Sequence, residues 1–538
     1  MPSAAITCWW AVGVLYQIYP RSFQDADGDG IGDLAGIIAR LPYLVDLGVD
    51  AIWLSPIFPS PMADFGYDIA DYVGIDPLFG TMDDFDALVA AAHGNGLKVI
   101  LDLVPNHTSD RHPWFVESRA SRDNPKRDWY LWRDPAPDGG PPNNWLSEFG
   151  GSGWQYDETT RQYYYHAFLA QQPDLNWRNP KVREAIYQVM RFWLGRGVDG
   201  FRVDVIWHLI KDELFRDNPP NPDFKPEMPP HAALHPVYSA DRPETLQVVA
   251  EMRRVIDEFD ARVLIGEIYL PIERLVAYYG EGLAGAQLPF NFALLSTPWH
   301  ARTLAQLIDR YEAALPQGAW PNWVLGNHDR PRIASRVGLA QSRVAAMLLL
   351  TLRGTPTMYY GDEIGMQQVA IAPEQVRDPF EKNVPGIGVG RDGCRTPMQW
   401  DASAHGGFSA AQPWLPLAEH YAQENVANLS ADAQSILNLY RALISLRKRL
   451  PQLAHGDYAP LAADGDLLLY RRHDATGSVL IALNLGAQPV SVVSDTIGLD
   501  GEILLSTAMD RGGERVGSEL SLRGHEGVIV GPAPEEVV

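Results

Sequence analysis

The strongest constraint in this chain is a helix that runs into a strand whose only charges sit at its far end. Asn179-Pro180 is a helix cap followed by proline at the first helical position. Val182, Ala185, Ile186, Val189, Met190, Trp193 and Leu194 then recur at helical spacing, and Gly195 and Gly197 stop the helix. The strand that follows, Gly200-Phe201-Arg202-Val203-Asp204, is apolar apart from Arg202 and Asp204. Those charges are too costly to bury unpaired, so they should sit together at a strand end that opens onto a site.

The same punctuation recurs along the chain. Val14–Tyr19 and Ile52–Leu54 read as buried strands; Thr81, with Asp84 three places on, caps a helix carrying Phe85, Leu88, Val89 and Ala92 on one face. Val99–Leu101 closes with Asp102, Val263–Ile265 leads to Glu267, Trp323–Leu325 leads to Asn327-His328-Asp329, and Thr357–Tyr360 follows. Strand, helix, strand at such intervals is a βα series and requires a parallel sheet. Glu267 and Asp329 lie 62 positions apart, two βα units at about 30 residues each. Asp204, Glu267 and Asp329 therefore fit the ends of strands four, five and seven of a (β/α)8 TIM barrel, an α/β fold whose sites form at that rim.

From Asp102 to Asp204 is 102 positions, far more than the ~30 that one unit needs. The surplus, rich in Trp, Tyr, Pro, Gly and Asn, reads as a domain inserted after strand three to shape the site. A second long loop, Asn218–Pro236, is proline-rich. Helix Ser435–Leu450 ends at Pro451, and beyond it short alternating strands such as Asp466–Tyr470, Val479–Leu483 and Gly527–Val530 predict a C-terminal antiparallel β-sandwich domain. The expected division is 1–104 (barrel, first part), 105–176 (inserted domain B), 177–451 (barrel, second part) and 452–538 (C-terminal domain).

Composition narrows the partners. Against 44 Lys+Arg stand 67 Asp+Glu, a net charge of −23, which disfavours nucleic acid and anionic membranes. The first residues lack a basic stretch before an apolar run, and no run is long enough to span a bilayer, so a cytoplasmic location is the default. Cys8 and Cys394 cannot build a disulfide framework. Sixteen Trp and 22 Tyr offer flat faces with polar rims that suit sugar stacking, although any single ring is as readily a core filler. In Asp25-Ala26-Asp27-Gly28-Asp29-Gly30-Ile31-Gly32-Asp33, alternating acids and glycines allow a loop to turn several hard oxygens onto one cation, Ca2+ ahead of Mg2+; a solvated turn capping the next helix is the plain alternative.

Three carboxylates on one rim suit glycoside chemistry, in which one attacks the anomeric carbon, one protonates the leaving oxygen and one grips the ring. The acid needs a pKa raised by burial and neighbouring charge, while Arg202, beside Asp204, should keep the nucleophile ionised. The segments Asp102-Leu103-Val104-Pro105-Asn106-His107, Gly200–Asp204, Gly266-Glu267 and Asn327-His328-Asp329 resemble the four signature regions of the α-amylase superfamily, glycoside hydrolase family 13. Gln172-Pro173-Asp174-Leu175-Asn176 and the run from Gly354 to Glu363 resemble its further ones, in the family's order. The nearest branch is the α-glucosidase and oligo-1,6-glucosidase group.

That resemblance implies Asp204 as nucleophile, Glu267 as acid/base and Asp329 as transition-state stabiliser, with His107 and His328 donating hydrogen bonds to the same sugar. It implies Tyr67 stacking under the glucose, Phe168 on its other side, and an Asp64–Arg395 pair closing the pocket over the non-reducing end. Such an enzyme is exo-acting and retaining, and takes small α-glucosides and hydroxyl acceptors. Asp25, Asp27, Asp29, the Ile31 carbonyl and Asp33 match the family's metal loop. Val205 leans toward α-1,6 bonds while the Arg377–Arg395 loop looks like relatives that take maltose, so linkage stays open, as does hydrolysis against glucosyl transfer. An α-glucoside isomerase of the trehalose synthase or sucrose isomerase type is the main rival; a non-catalytic interaction module of the same fold is another, disfavoured by the complete set of carboxylates. A homodimer is compatible with the sequence, which contains nothing that requires one.

Overall fold

A computed structural model describes residues 8–387, 390–493 and 501–532. What was expected of residues 1–7, and of the remaining positions of the 377–395 loop and of the 452–538 domain, lies outside the described residues. The central element is an eight-stranded sheet, whose strands we number β1 (Leu15–Ile18), β2 (Ala51–Leu54), β3 (Lys98–Leu103), β4 (Gly200–Val203), β5 (Val263–Ile268), β6 (Leu288–Asn291), β7 (Asn322–Val324) and β8 (Thr355–Tyr359). Neighbours pair in parallel, including β8 with β1. At the β6–β7 seam a side chain does what a ladder does elsewhere: Asn322 Oδ1 accepts from Asn291 N at 2.8 Å and its Nδ2 donates to Pro289 O at 2.5 Å. The barrel interior is filled by Leu15, Ala51, Trp53, Ile100, Ile265, Phe290 and Val324, so it is a packed core rather than a pore.

Local chemistry sets the elements as the sequence suggests. The helix Pro180–Gly195 starts at Asn179, whose side chain accepts from Lys181 N, and buries Val182, Ile186, Val189, Met190, Trp193 and Leu194. Met82–Gly94 opens with a reciprocal Thr81–Asp84 capping box. Glu267 lies within β5, one residue before the strand's end, rather than beyond it. Between β3 and β4 runs the expected insertion, built on the helix Pro113–Ala120 and a three-stranded antiparallel sheet of Trp132–Arg133, Gln162–Tyr165 and Trp154–Asp157.

The C-terminal strands form a six-stranded antiparallel sheet faced by a two-stranded ribbon, Val490–Val493 with Glu519–Leu522. One face of the large sheet (Leu469, Leu480, Val528, Val530) packs on the ribbon, and the other (Tyr470, Ile481, Leu483, Ile529) joins the core of the barrel's helical layer. The sandwich is thus lopsided, and its sheet is buried on both sides. No helix among the described residues is long and apolar enough to cross a membrane, and both cysteines are free thiols.

Candidate active site

The three carboxylates at the ends of β4, β5 and β7 meet on one rim. Arg202, fully buried, is shared: its Nη1 lies 2.8 Å from both Asp102 Oδ1 and Asp204 Oδ1, and its Nη2 is 2.7 Å from Glu267 Oε2. Asp204 and Glu267 are thereby held side by side on one guanidinium. Glu267 Oε2 also accepts from Val205 N at 2.9 Å. Val205 makes that possible at φ 37°, ψ 46°. For a β-branched residue this left-handed conformation costs about 1–3 kcal/mol, the kind of strain that persists at functional sites.

The electrostatics follow from burial and charge. Burial, reinforced by the Glu267 charge, raises Asp204 well above the carboxylate range, against the pull of Arg202. Burial also raises Glu267, so the pair shares a proton. Arg202 favours the ionised form of Asp204, the expected direction, but one guanidinium divided among three carboxylates does not neutralise each of them. Asp102 is pushed up to about 6, mainly by burial. Asp329 goes the other way. Burial would raise it, but the flanking His328 and the Arg391, Arg395 and Arg202 guanidiniums hold it below its usual value.

Both histidines are neutral. Burial pushes His107 down to about 4 and His328 well below its ordinary value. His328 Nδ1 faces the Gln17 amide at 2.8 Å, leaving Nε2, 2.7 Å from Tyr67 Oη and 3.3 Å from Asp329 Oδ2, as its donor. The rings of Tyr67 and His328 are parallel within 1°, and Tyr67 Oη donates to Asp102 Oδ2 at 3.1 Å. His107 Nε2 donates to Tyr67 O at 3.1 Å, and Phe168 lies 5.2 Å from its ring.

One pairing differs from expectation. The partner of Asp64 is Arg391, whose Nη2 reaches Asp64 Oδ1 at 2.6 Å. Arg395 is committed elsewhere: Nε donates to His328 O at 2.8 Å and Nη2 to Asp329 Oδ1 at 3.0 Å. The 3-10 turn Asp392–Cys394 separates the two arginines, yet both side chains reach the same Asp329 oxygen, Oδ1, Arg391 Nη1 at 3.3 Å and Arg395 Nη2 at 3.0 Å. Arg391 is itself clamped by Asp378, at 2.7 Å. Sequence reasoning missed Arg391, Asp378 and the role of Asp102; the run Arg391-Asp392 just before the quoted Gly393-Cys394-Arg395 was the available signal.

In the acidic loop, Asp25, Asp27 and Asp29 bring their carboxylates within 4.8 Å of one another, a donor set of hard oxygens that fits Ca2+. Asp33 stands outside that group. Its Oδ1 caps the helix Leu34–Leu47 through Gly36 N and its Oδ2 accepts from Ala26 N and Asp27 N. Ile31 N donates to Asp29 Oδ1 at 2.7 Å, which orients one donor of the cluster.

Comparison with known proteins follows this geometry. A family model described as alpha amylase, catalytic domain, matches residues 17–456. A probable alpha-glucosidase of Rhizobium meliloti is 46% identical over 496 residues, covering 89% of each chain. An oligo-1,6-glucosidase of Heyndrickxia coagulans is 41% identical over 527 residues, covering 90% of this chain and 94% of its own. Among solved structures, the alpha-glucosyl transfer enzyme XgtA is 42% identical and superposes with a TM-score of 0.91 over 97% of this chain and 99% of its own.

Proposed function

Because this chain belongs to the α-amylase family, glycoside hydrolase family 13, we propose that it is an exo-acting, retaining α-glucosidase that releases or transfers terminal glucosyl units of short α-glucosides. The observation that carries the mechanism is that one guanidinium holds both carboxyls, Arg202 Nη1 at 2.8 Å from Asp204 Oδ1 and Nη2 at 2.7 Å from Glu267 Oε2. A retaining pair sits about 5–5.5 Å apart, whereas an inverting pair leaves room for a water between. In the first step an Asp204 oxygen bonds to C1 as the glycosidic C1–O bond breaks, and Glu267 gives its proton to the departing oxygen. In the second, Glu267 takes a proton from water or another hydroxyl, whose oxygen bonds to C1 and frees Asp204. Asp204 Oδ1 is tied to Arg202, which leaves Oδ2 as the attacking atom.

Asp329, ionised and fixed by Arg395, is the acceptor for ring hydroxyls, and neutral His107 and His328 donate to the same sugar once its hydroxyls replace the Tyr67 carbonyl and hydroxyl as acceptors of their single N–H groups. Tyr67 and Phe168 supply its apolar walls. The buried Asp64–Arg391 pair walls off the non-reducing end, which restricts cleavage to terminal units. Asp25, Asp27, Asp29 and the Ile31 carbonyl would hold a structural Ca2+, or Mg2+, that braces this loop against the Phe408–Ser409 segment it already touches.

A second reading, dominant glucosyl transfer, is favoured by the likeness to the alpha-glucosyl transfer enzyme; the two differ only in the acceptor of the second step. The test is product analysis with maltose, isomaltose and a long α-glucan, with and without an alcohol. Glucose from chain ends before any shorter oligosaccharide, with α-configuration retained, is the expected outcome. A rapid fall in starch viscosity, or an isomer of the substrate as main product, would refute it.

A further inference from the structure

The proline-rich loop after β4 is fastened to the inserted domain through one side chain. Between Pro219 and Pro236 its bonds run within the loop, as from Asn221 N to Ala233 O at 2.8 Å and from His235 N to Pro219 O at 2.9 Å. Among the described residues, His231 alone in this stretch hydrogen-bonds to the inserted domain, and both of its ring nitrogens go to Glu148. Nδ1 lies 3.0 Å from Glu148 O and Nε2 3.0 Å from Glu148 Oε2. A carbonyl oxygen and an ionised carboxylate only accept, so both nitrogens must donate. A neutral imidazole has a single N–H. The latched form of His231 is therefore the imidazolium.

Burial disfavours the charge on His231, and Arg330, next to Asp329, repels it, but the Glu148 carboxylate and its hydrogen bonds prevail and leave His231 above its ordinary value. Glu148 is raised by burial but held below its usual value by the His231 charge. The pair closes a cavity of about 130 Å³, lined by Glu148 and Tyr165 from the inserted domain, His208 from the turn after Asp204, and His231 and Leu234 from the loop. Burial pushes His208 down to about 4 and Tyr165 well above its ordinary value, so both are neutral.

Glu148 sits where it steadies the sugar site. Its N–H donates to Ala167 O at 2.8 Å, its neighbour Ser147 donates from Oγ to Phe168 O at 2.6 Å, and the ring of its other neighbour, Phe149, lies 6.0 Å from that of Phe168. Phe168 also meets the His208 ring, at 5.6 Å. We propose that His231 is a positioning residue for this site: as an imidazolium it ties the Pro219–Pro236 loop to Glu148 and holds the Phe168 wall in place, and losing its proton unfastens the loop and loosens that wall. That Phe168 walls the glucose rests on the function proposed above, whereas the latch does not. Because the latch raises its pKa, His231 keeps the loop fastened below 6.5, its ordinary value, and releases it as pH rises through the folded one.

Hydrogen exchange of the full chain reads the latch directly, with rates corrected for the intrinsic effect of pH. From about pH 5.5 to about pH 8.5, protection of residues 219–236 should fall about three- to fivefold in the wild type. It should be low at both pH values in His231→Gln and high at both in His231→Arg, which keeps the charge and more than one donor. KM for maltose should rise by the same factor over that range in the wild type, relative to His231→Arg. Wild-type protection that does not change with pH overturns the proposal, as does a pH step that persists in His231→Gln. A loop that switches while KM stays with that of His231→Arg overturns the positioning role. Should His231→Gln fail to fold, Glu148→Gln must move the step to lower pH, and an unmoved step is equally fatal. Exchange is measured without substrate, so a chain that leaves maltose untouched sinks the α-glucosidase reading while the loop still decides the latch.

Discussion

The identity of the arginine that closes the sugar pocket can be settled by a double-mutant cycle. Arg391 touches Asp64 at 2.6 Å, Asp378 at 2.7 Å and Asp329 at 3.3 Å, all at buried or partly buried positions. Removing one partner of a buried ion pair costs about 3–5 kcal/mol, because the other charge stays behind. If that loss falls on the bound transition state, Arg391→Met should lower kcat/KM by roughly 10²–10³·⁵-fold. Asp64→Asn leaves Arg391 its bonds to Asp378 and should cost less, about 10–100-fold. The informative quantity is their coupling. Residues in direct contact couple by about 0.5–3 kcal/mol, so the Asp64→Asn/Arg391→Met double variant should be about 2- to 150-fold more active than the product of the single losses. The parallel cycle with Arg395→Met should be additive within about twofold, since Arg395 bonds to His328 O and Asp329 instead. The assay is kcat/KM on an aryl α-glucoside, with circular dichroism to confirm folding. Strong coupling of Asp64 to Arg395 and none to Arg391 would refute the reasoning.

Asp204→Asn should reduce kcat by about 10⁴-fold or more and leave the fold intact; a variant with undiminished turnover would remove Asp204 from the mechanism. Glu267→Gln should lose less on substrates with a phenolate leaving group than on maltose, because the former need no proton; equal losses on both would argue against Glu267 as the acid. Exhaustive treatment with a chelator should lower the thermal midpoint by several degrees, and an unchanged midpoint would exclude a structural cation in the Asp25–Asp29 loop. Asp362, buried beyond β8, is pushed up to about 7 by burial. A carboxyl raised in the folded state contributes stability that is present below its unfolded pKa and is lost as pH rises through 7. Asp362→Asn should therefore gain on wild type between pH 5 and pH 8, with a ceiling of about 3 kcal/mol over that window; a midpoint difference that is the same at both pH values would contradict this.

The barrel was legible because its strands end in charges that burial forbids elsewhere. Asp102, Asp204 and Glu267 mark β3, β4 and β5 by composition alone, and Asn179, Thr81 and Ser435 mark helix starts by their caps. β6 went unseen: Leu288–Asn291 is short, contains Pro289 and carries no ionisable residue at its end. The site was legible where a residue's neighbours in sequence are also its neighbours in space, as with Arg202 and Asp204 on one strand face. It was illegible where the partner depends on how a loop turns. Arg391 and Arg395 are four positions apart with one charge each, and only the intervening 3-10 turn decides which meets Asp64. Asp33 shows a related ambiguity: a carboxylate at the end of an acidic run serves a cation loop or a helix cap equally well, and here Oδ1 caps the helix through Gly36 N while Oδ2 accepts from the loop's own Ala26 and Asp27 N.

The proton on the catalytic pair follows from charge accounting across the whole site. Arg202, Arg391 and Arg395 face Asp64, Asp102, Asp204, Glu267, Asp329 and Asp378, with both histidines neutral. Were every carboxyl ionised, this buried cluster would carry three surplus negative charges, which a low-dielectric interior does not tolerate. The arginines are unevenly spread. Arg391 and Arg395 both bear on Asp329 and hold it ionised, while Arg202 alone serves Asp102, Asp204 and Glu267. The deficit therefore falls on that last group, and protons settle there. A general acid poised for transfer requires no special hydrogen bond in this arrangement, because the placement of two guanidiniums at β7 and one at β4 leaves Asp204 and Glu267 to share what charge the interior allows.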